Sequence, residues 1–273
     1  MRAVRTLRLA VTALAAVLLL GVAPPPAQTL YQSMFVVSGK SPERRVVGFE
    51  EALRRLMVKI SGDRRLADDP AVESMIQHAG DYVVDFSYLD LKQGIKLSDE
   101  QGSYDRPHYL TVTFDQEKID AALAGLGRKP WTGARPKLVI FLGVHRDPRS
   151  YVVDGDDARD EAMRQSAGNA SLLYSMPIVF PPKATLPPAF STFDQAKSAD
   201  PADLEAAAKA AGGDAALVGT LDWSDADLGW IADWTIAYRG KPVHWRKKGI
   251  SFDDAFCDGL SGAALTLSGS GTP

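Results

Sequence analysis

The chain has 273 residues, a formal net charge of −3 and an ordinary apolar share of 45%. This composition excludes a disordered or collagen-like chain, because enough aliphatic and aromatic side chains are present to build a core. The mildly acidic balance argues against nucleic-acid binding, which uses basic surfaces. Cys257 is the only cysteine, so no intramolecular disulfide can form.

The first 27 residues have the pattern of a secretory signal peptide. Arg2, Arg5 and Arg8 precede an uncharged run, Leu9–Ala23, which is shorter than the roughly 20 residues of a membrane-spanning helix. We therefore expect a cleaved signal (1–27) and a mature chain with a charge near −6, located in the periplasm or secreted. No cysteine near the exit could carry a lipid anchor, and no second apolar run predicts a transmembrane segment.

Residues 28–128 predict a first module of β-α-α-β-β-α order. A strand over Leu30–Val37 precedes a strongly periodic helix, Pro42–Ile60, with Ser41 as N-cap and Gly62 as its stop. The residues predicted to face the core are Val46, Phe49, Leu53, Leu56, Met57 and Ile60. The remaining predicted elements are a helix from Asp69–Pro70, strands over Tyr82–Leu91 and Arg106–Phe114, a polar mobile loop (Lys92–Asp105) between them, and a helix capped by Asp115 that ends at Gly127.

Residues 129–136 form the predicted linker to a second module, 137–268, and a disordered tail, 269–273. The second module opens with Lys137–Val144, an apolar run of the kind that is buried on both faces of a sheet. The elements predicted next are a charged helix (Asp154–Ser166), a strand (Pro177–Phe180), an irregular stretch (Pro181–Ser198), a helix (Pro201–Ala211), a three-strand antiparallel meander (Ala215–Trp223, Gly229–Tyr238, Lys241–Lys247) and a closing helix capped by Ser251.

These patterns predict an α/β (α+β) protein of two modules, each a small mixed or antiparallel sheet packed with helices, after a cleaved signal peptide. Several sequence segments along the mature chain point to a family: Glu51–Leu53, Val58–Gly62, Asp115–Gly127, Trp131, Arg135–Pro136, Leu138–Leu142, Pro177–Pro181 and Gly213–Gly219. Together they resemble domain of unknown function 2066 (DUF2066), an uncharacterised bacterial exported family. The resemblance implies an envelope protein and brings no reaction, substrate or catalytic residue.

No catalytic, cofactor-binding or metal-binding motif is recognisable in the sequence. The four histidines, His78, His108, His145 and His244, lack metal-ligand spacing. The acidic run Asp154–Asp157 lacks the sixth-position glycine and the final glutamate of a calcium loop, so we interpret it as a helix start. Cys257 is interpreted as a structural thiol. We therefore expect no cofactor and assign no catalytic or metal-binding residue.

Five cations surround the final predicted hairpin: Arg239, Lys241, Arg246, Lys247 and Lys248. They could bind an anionic lipid headgroup or an acidic partner, or they could protect a border strand from sheet-to-sheet aggregation. The nearby tryptophans, Trp223, Trp230, Trp234 and Trp245, are core residues if they face the closing helix and a ligand groove if they face solvent.

We predict a non-enzymatic binding or accessory module of the cell envelope. The sequence does not identify its partner, for which another envelope protein is a candidate. One alternative is a hydrolase with a site near the end of the His145 strand, using His145 or His108 with a nearby carboxylate. The second alternative is an anionic-surface binder that uses the 239–248 hairpin.

Overall fold

The computed structural model describes residues 30–91 and 106–273. The predicted signal peptide and the predicted loop Lys92–Asp105 lie outside the described residues. The described chain forms two sheets with helices packed on them, which confirms the α+β class. In these two ranges, no helix combines the length and the apolar character needed to span a bilayer.

The first module is a three-stranded antiparallel sheet with one long helix on one face. The strand order is β1-β3-β2. In the central strand, Leu110, Val112 and Phe114 alternate with outward residues and are buried beneath the helix. The elements are β1 (Gln32–Ser38), α1 (Pro42–Ser61), α2 (Pro70–Ile76), β2 (Val83–Asp90), β3 (Pro107–Phe114) and α3 (Gln116–Gly125).

Helix α1 begins and ends where its sequence signals predict. The Ser41 hydroxyl accepts a hydrogen bond from the Arg44 N–H at 3.4 Å. Gly62 has φ 71° and donates its N–H to the Val58 carbonyl at 2.8 Å. This left-handed conformation is the reason that glycine suits the stop position.

The predicted core face of α1 is wrong at Val46, whose side chain is 56% exposed. Leu53, Leu56, Met57 and Ile60 are fully buried, as predicted. At the N-terminal end, the sheet instead packs against the small residue Gly48, where an added Cβ would lie 2.5 Å from the Leu110 side chain. Because glycine has no side chain, the hydrophobic pattern does not indicate this contact.

The second module has three layers, with a mixed sheet between two pairs of helices. Helices α4 and α7 cover one face of the sheet, and α5 and α6 cover the other. Residues Leu138–Val144 of β4 are buried throughout, which confirms the prediction of a strand covered on both faces. The elements are β4 (Leu138–Arg146), β5 (Arg149–Val152), α4 (Glu161–Leu172), β6 (Ile178–Val179), α5 (Phe193–Ser198), α6 (Glu205–Ala210), β7 (Ala215–Ser224), β8 (Gly229–Tyr238), β9 (Lys241–Ile250) and α7 (Phe252–Leu267).

The sheet order is β5-β4-β7-β8-β9, with β6 also paired to β4. Strands β4 and β7 run parallel, and β7, β8 and β9 form the predicted antiparallel meander. The β8–β9 turn uses Arg239 and Gly240, with φ values of 52° and 74°. Two consecutive left-handed residues are the geometry of a tight hairpin turn.

The meander is anchored to α7 through tryptophans. Trp234 is 1% exposed and Trp245 is 7% exposed. An added Cβ at Gly259 would lie 2.5 Å from the Trp234 ring, and one at Gly262 would lie 2.4 Å from the Trp245 ring. The absence of these two side chains therefore lets the helix approach the sheet. Trp230 is also buried, with the half-buried Trp223 against it at 5.5 Å between ring centroids.

Two predicted segments of the second module are wrong in their bounds. The charged helix begins at Glu161, because Asp154 Oδ1 accepts the N–H groups of Asp156 and Asp157 at 2.8 and 2.7 Å and holds them in a turn. The stretch that we predicted to be irregular contains α5, which starts with a complete capping box between Thr192 and Gln195. The Thr-x-x-Gln spacing was the available signal for that helix.

Two shorter segments also differ from the sequence prediction. Strand β5 folds back on the end of β4 and pairs Val152 with Gly143, a hairpin that we did not predict from the sequence. The tail, predicted to be disordered, packs on the first module, where the Ser270 hydroxyl donates a hydrogen bond to the Ser61 carbonyl at 2.7 Å.

Candidate binding cleft between the modules

A cleft of about 1270 Å³ lies between the two modules. One wall consists of β1 and the adjacent face of α1. The other wall consists of the C-terminal end of α4 and the first turns of α7. Both modules therefore contribute to this surface, and neither forms it alone.

The cleft walls are held together by the residues that follow α3. The Arg135 guanidinium lies 3.8 Å from the centre of the Trp131 ring and donates hydrogen bonds to the Lys59 carbonyl at 3.0 Å and the Tyr174 carbonyl at 3.4 Å. The Trp131 N–H donates to the Ile60 carbonyl at 2.6 Å. Arg135 thus joins the end of α1 to the segment after α4. Its burial lowers the pKa of Arg135 to about 10.

Lys59 lies at the base of the wall formed by α1 and β1. Its side chain is 9% exposed, and its ammonium donates a hydrogen bond to the Gln32 carbonyl. Burial, together with the nearby charge of Arg135, lowers the pKa of Lys59 to about 8. The lysine therefore links α1 to the outer edge of β1 and carries a charge that burial disfavours.

Asp63, directly after α1, is a buried carboxylate that stabilises the corner below the cleft. Its side chain is inaccessible and forms ion pairs with Arg65 at 2.8 Å and Arg128 at 3.1 Å. Burial raises the pKa of Asp63, but the hydrogen bonds from the two arginines outweigh it and hold the pKa below its usual range. These contacts connect α1 to the end of α3 and assign Asp63 a structural role.

The cations that we predicted as an anion-binding surface lie on both faces of the sheet. Arg246 pairs with Asp233 at 2.6 Å on the face opposite α7, while Lys247 lies 3.5 Å from Asp258 on α7. Consecutive residues of a strand point in opposite directions, so the structure does not bring these two together. Arg239 stacks on its neighbour Tyr238, and Lys241 and Lys248 are exposed.

The anion-binding hypothesis stays a prediction. It is tested by sedimentation of the mature protein with acidic liposomes, before and after neutralisation of Arg246, Lys247 and Lys248. Binding that is lost in the neutral variant would support it, and unchanged binding would exclude it.

The two histidines of the hydrolase hypothesis do not reach a carboxylate within the described chain. His145 packs against Phe193, with 5.3 Å between ring centroids. His108 is buried and its Nδ1 lies 2.8 Å from the Arg106 carbonyl. The histidine that does contact a carboxylate is His244, whose Nε2 lies 3.1 Å from Asp233. His244 and Asp233 lie on adjacent strands, and their contact depends on the β8–β9 register, which the sequence did not specify.

The acidic run that begins at Asp154 and the single cysteine, Cys257, show no sign of a catalytic or metal-binding role in the described residues. Asp154 is buried and accepts backbone N–H groups, as described above. No group of three or more potential metal-ligating side chains occurs in residues 30–91 and 106–273. Cys257 is half-buried at the cleft wall, and burial raises the pKa of its thiol, which disfavours the reactive thiolate.

Comparison with known families gives a match over the first module and part of the linker. Residues 26–132 match the model of a domain of unknown function (DUF8605). The resemblance to DUF2066 is therefore wrong, since the matched domain is a different one. The segments that suggested DUF2066 most specifically lie at the glycine that ends α1 and in the Trp131–Pro136 linker. Unrelated chains use similar residues at helix ends and in linkers, so these segments do not identify a family. Neither a curated protein nor a solved structure matches the chain.

Proposed function

We propose that this protein is an exported, non-enzymatic binding or accessory factor of the cell envelope and that it takes its ligand in the cleft between the modules. The signal-peptide pattern of residues 1–27 supports the location. The cleft, formed jointly by both modules, supports a binding role because ligand sites concentrate in concave surfaces between structural units.

The observation that carries this proposal is the outer edge of β1, which lies open in the cleft. The seven residues Gln32–Ser38 include no charged side chain, and Met34 and Val36 are 57% and 49% exposed. In the described chain, no strand pairs with this edge. Exposed, uncharged strand edges are surfaces that other chains can pair with.

Export is tested by cell fractionation and N-terminal sequencing. We expect a processed protein that begins near residue 28 in the periplasmic or secreted fraction. Recovery of the intact polypeptide from the cytosol would refute the proposed location.

The cleft is tested by photo-crosslinking in intact cells with a photoreactive residue at one of two exposed leucines. Leu172 lies in the cleft and is 73% exposed, whereas Leu228 lies in the β7–β8 turn and is 82% exposed. We expect a defined adduct from position 172 and none from position 228. Identical adducts from both positions, or none from position 172, would argue against a binding cleft.

A further inference from the structure

We propose that the cleft binds an extended peptide segment with acidic side chains, which adds to the outer edge of β1 as a fourth strand. This inference rests on the proposed function and specifies its ligand class. Strand addition obtains affinity from main-chain hydrogen bonds and specificity from alternate side chains.

Within residues 30–91 and 106–273, no strand takes up the outward hydrogen-bonding groups of the β1 backbone. Phe114 N–H bonds to the Tyr31 carbonyl and Gly39 N–H to the Arg106 carbonyl, both at 2.9 Å, so the odd-numbered residues of β1 face β3. In an antiparallel ladder the intervening residues point their N–H and carbonyl groups outward. The Lys59 ammonium on the Gln32 carbonyl shows that outward direction. Met34 and Val36 therefore present the next donors and acceptors along the edge.

The position of the edge favours a single extended chain over a folded sheet. Gln32–Val36 lines the same cleft as Leu172 and Leu173 of the second module. An occupant that pairs with this edge must fit between the two walls, and a single strand needs only about 5 Å of lateral space. The volume of about 1270 Å³ also exceeds the roughly 300–1,000 Å³ of most small-molecule pockets.

The charge of the cleft indicates acidic side chains on the peptide. Four cations line it: Arg54, Arg55, Lys59 and Arg64. Three carboxylates oppose them: Glu51, paired with Arg55 at 2.6 Å, Asp253, and Glu73, which pairs with Arg54 at 2.7 Å from just outside the lining. Arg64 is exposed and forms no salt bridge with another described residue. This excess of positive charge contrasts with the acidic chain as a whole, and it would attract acidic residues while repelling basic ones.

The ligand class is tested by selecting phage-displayed random heptapeptides on the immobilised mature protein and synthesising the enriched sequences. We expect peptides in which apolar residues alternate with others and in which Asp or Glu is enriched. Their affinity should fall as salt is raised, because part of the attraction is electrostatic. Failure to enrich any peptide family, or enrichment of basic peptides, would overturn the proposal.

The binding mode is tested with two substitutions at one position. Met34→Pro removes an outward N–H and leaves the β3 ladder intact, whereas Met34→Thr removes the same side chain and keeps the N–H. We expect the selected peptides to bind Met34→Pro at least about tenfold more weakly than Met34→Thr, since a main-chain bond is lost and the ring obstructs pairing. Equal binding to both variants would overturn strand addition.

A further test of strand addition changes the peptide instead of the protein, so it does not depend on the folding of any variant. N-methylation of alternate peptide amides should abolish binding in one register and spare it in the other, because only one set of amides faces β1. Equal tolerance in both registers would overturn the proposal.

A dimer of the wild-type protein that the Met34→Pro substitution dissociates would also overturn it, because the strand added to β1 would then come from a second copy of the chain. If position 172 gives a crosslink but neither Met34→Pro nor N-methylation of the peptide affects binding, the cleft is a binding site and strand addition is wrong.

Discussion

Strands β1 and β9 both border a sheet, but they differ in charge and in the exposure of their apolar side chains. The exposed residues of β9 include three lysines and one arginine, and Trp245 packs beneath α7. Strand β1 has no charged residue, and Met34 and Val36 are exposed in the cleft. Charged side chains prevent an edge from pairing with other chains. The comparison sets a charged edge strand against an uncharged one whose apolar side chains are exposed.

The largest expected effect is the loss of the β9 anchor. Trp245→Ala should reduce the free energy of unfolding by about 3–5 kcal/mol, because a buried indole is removed from a tightly packed site. Met34→Ala on β1 should change it by no more than about 0.5 kcal/mol, since that side chain is exposed. Urea unfolding followed by circular dichroism measures both. Similar losses in the two variants would remove the contrast between a buried and an exposed apolar side chain.

The next effect concerns Lys59, which contacts the edge of β1. The pKa of Lys59 is about 8 in the folded protein and about 10.4 in the unfolded chain. Between these two pH values the unfolded chain binds more protons than the folded protein. The free energy of unfolding therefore rises with pH in that range. Between about pH 7.5 and 9.5, the wild type should gain about 2 kcal/mol relative to Lys59→Met.

Urea unfolding across this pH range provides the measurement. Lys248→Met removes an exposed lysine from β9 and leaves Lys59 in place, so it should keep the wild-type rise. A parallel pH dependence in the wild type and Lys59→Met would show that Lys59 is not the cause.

A smaller effect is expected where α7 touches β9. Gly262→Ala would place a Cβ 2.4 Å from the Trp245 ring, and overpacking of this kind costs about 1–3 kcal/mol. Gly168→Ala in α4 meets no atom within 4 Å and should raise stability by up to about 1 kcal/mol through helix propensity. Thermal unfolding of the pair tests the packing. Equal shifts in both variants would mean that α7 does not require the glycine.

The smallest effect on stability is expected from exchanging the charges of the two edges. Replacing Lys241 and Lys248 together by valine should change the free energy of unfolding by about 0.5 kcal/mol or less, yet increase aggregation, because the β9 edge loses its protection. Val36→Lys on β1 should leave the protein soluble. Light scattering during prolonged incubation measures the difference, and an unchanged double variant would contradict edge protection.

Local signals predicted the elements whose structure depends on neighbouring residues in the chain. Helix α1 has both predicted caps, Ser41 and Gly62. The apolar run of β4 is buried on both faces, and the Arg239–Gly240 turn connects β8 and β9. Each of these follows from capping, periodicity or turn geometry within a few residues. Helix α5 was accessible by the same reasoning, through its capping box, although its proline-rich surroundings concealed it.

The candidate site could not be predicted in this way. Its walls come from β1 and α4, which are separated by more than a hundred residues. The hydrogen bonds from Arg135 to the carbonyls of Lys59 and Tyr174 join residues that lie far apart in the chain. Hydrophobic periodicity indicates which face of an element is buried, but it does not specify which element covers it.

By itself, the sequence determined the α+β class, the order of most elements and the apolar faces that build the cores, because these depend on short-range chemistry. Only the tertiary structure decided that β1 lies open in a cleft while Trp245 of β9 is buried beneath α7, and that the cations of the last hairpin lie on two faces of the sheet. Exposure of a strand edge depends on what packs beside it, and residues distant in the chain supply those neighbours.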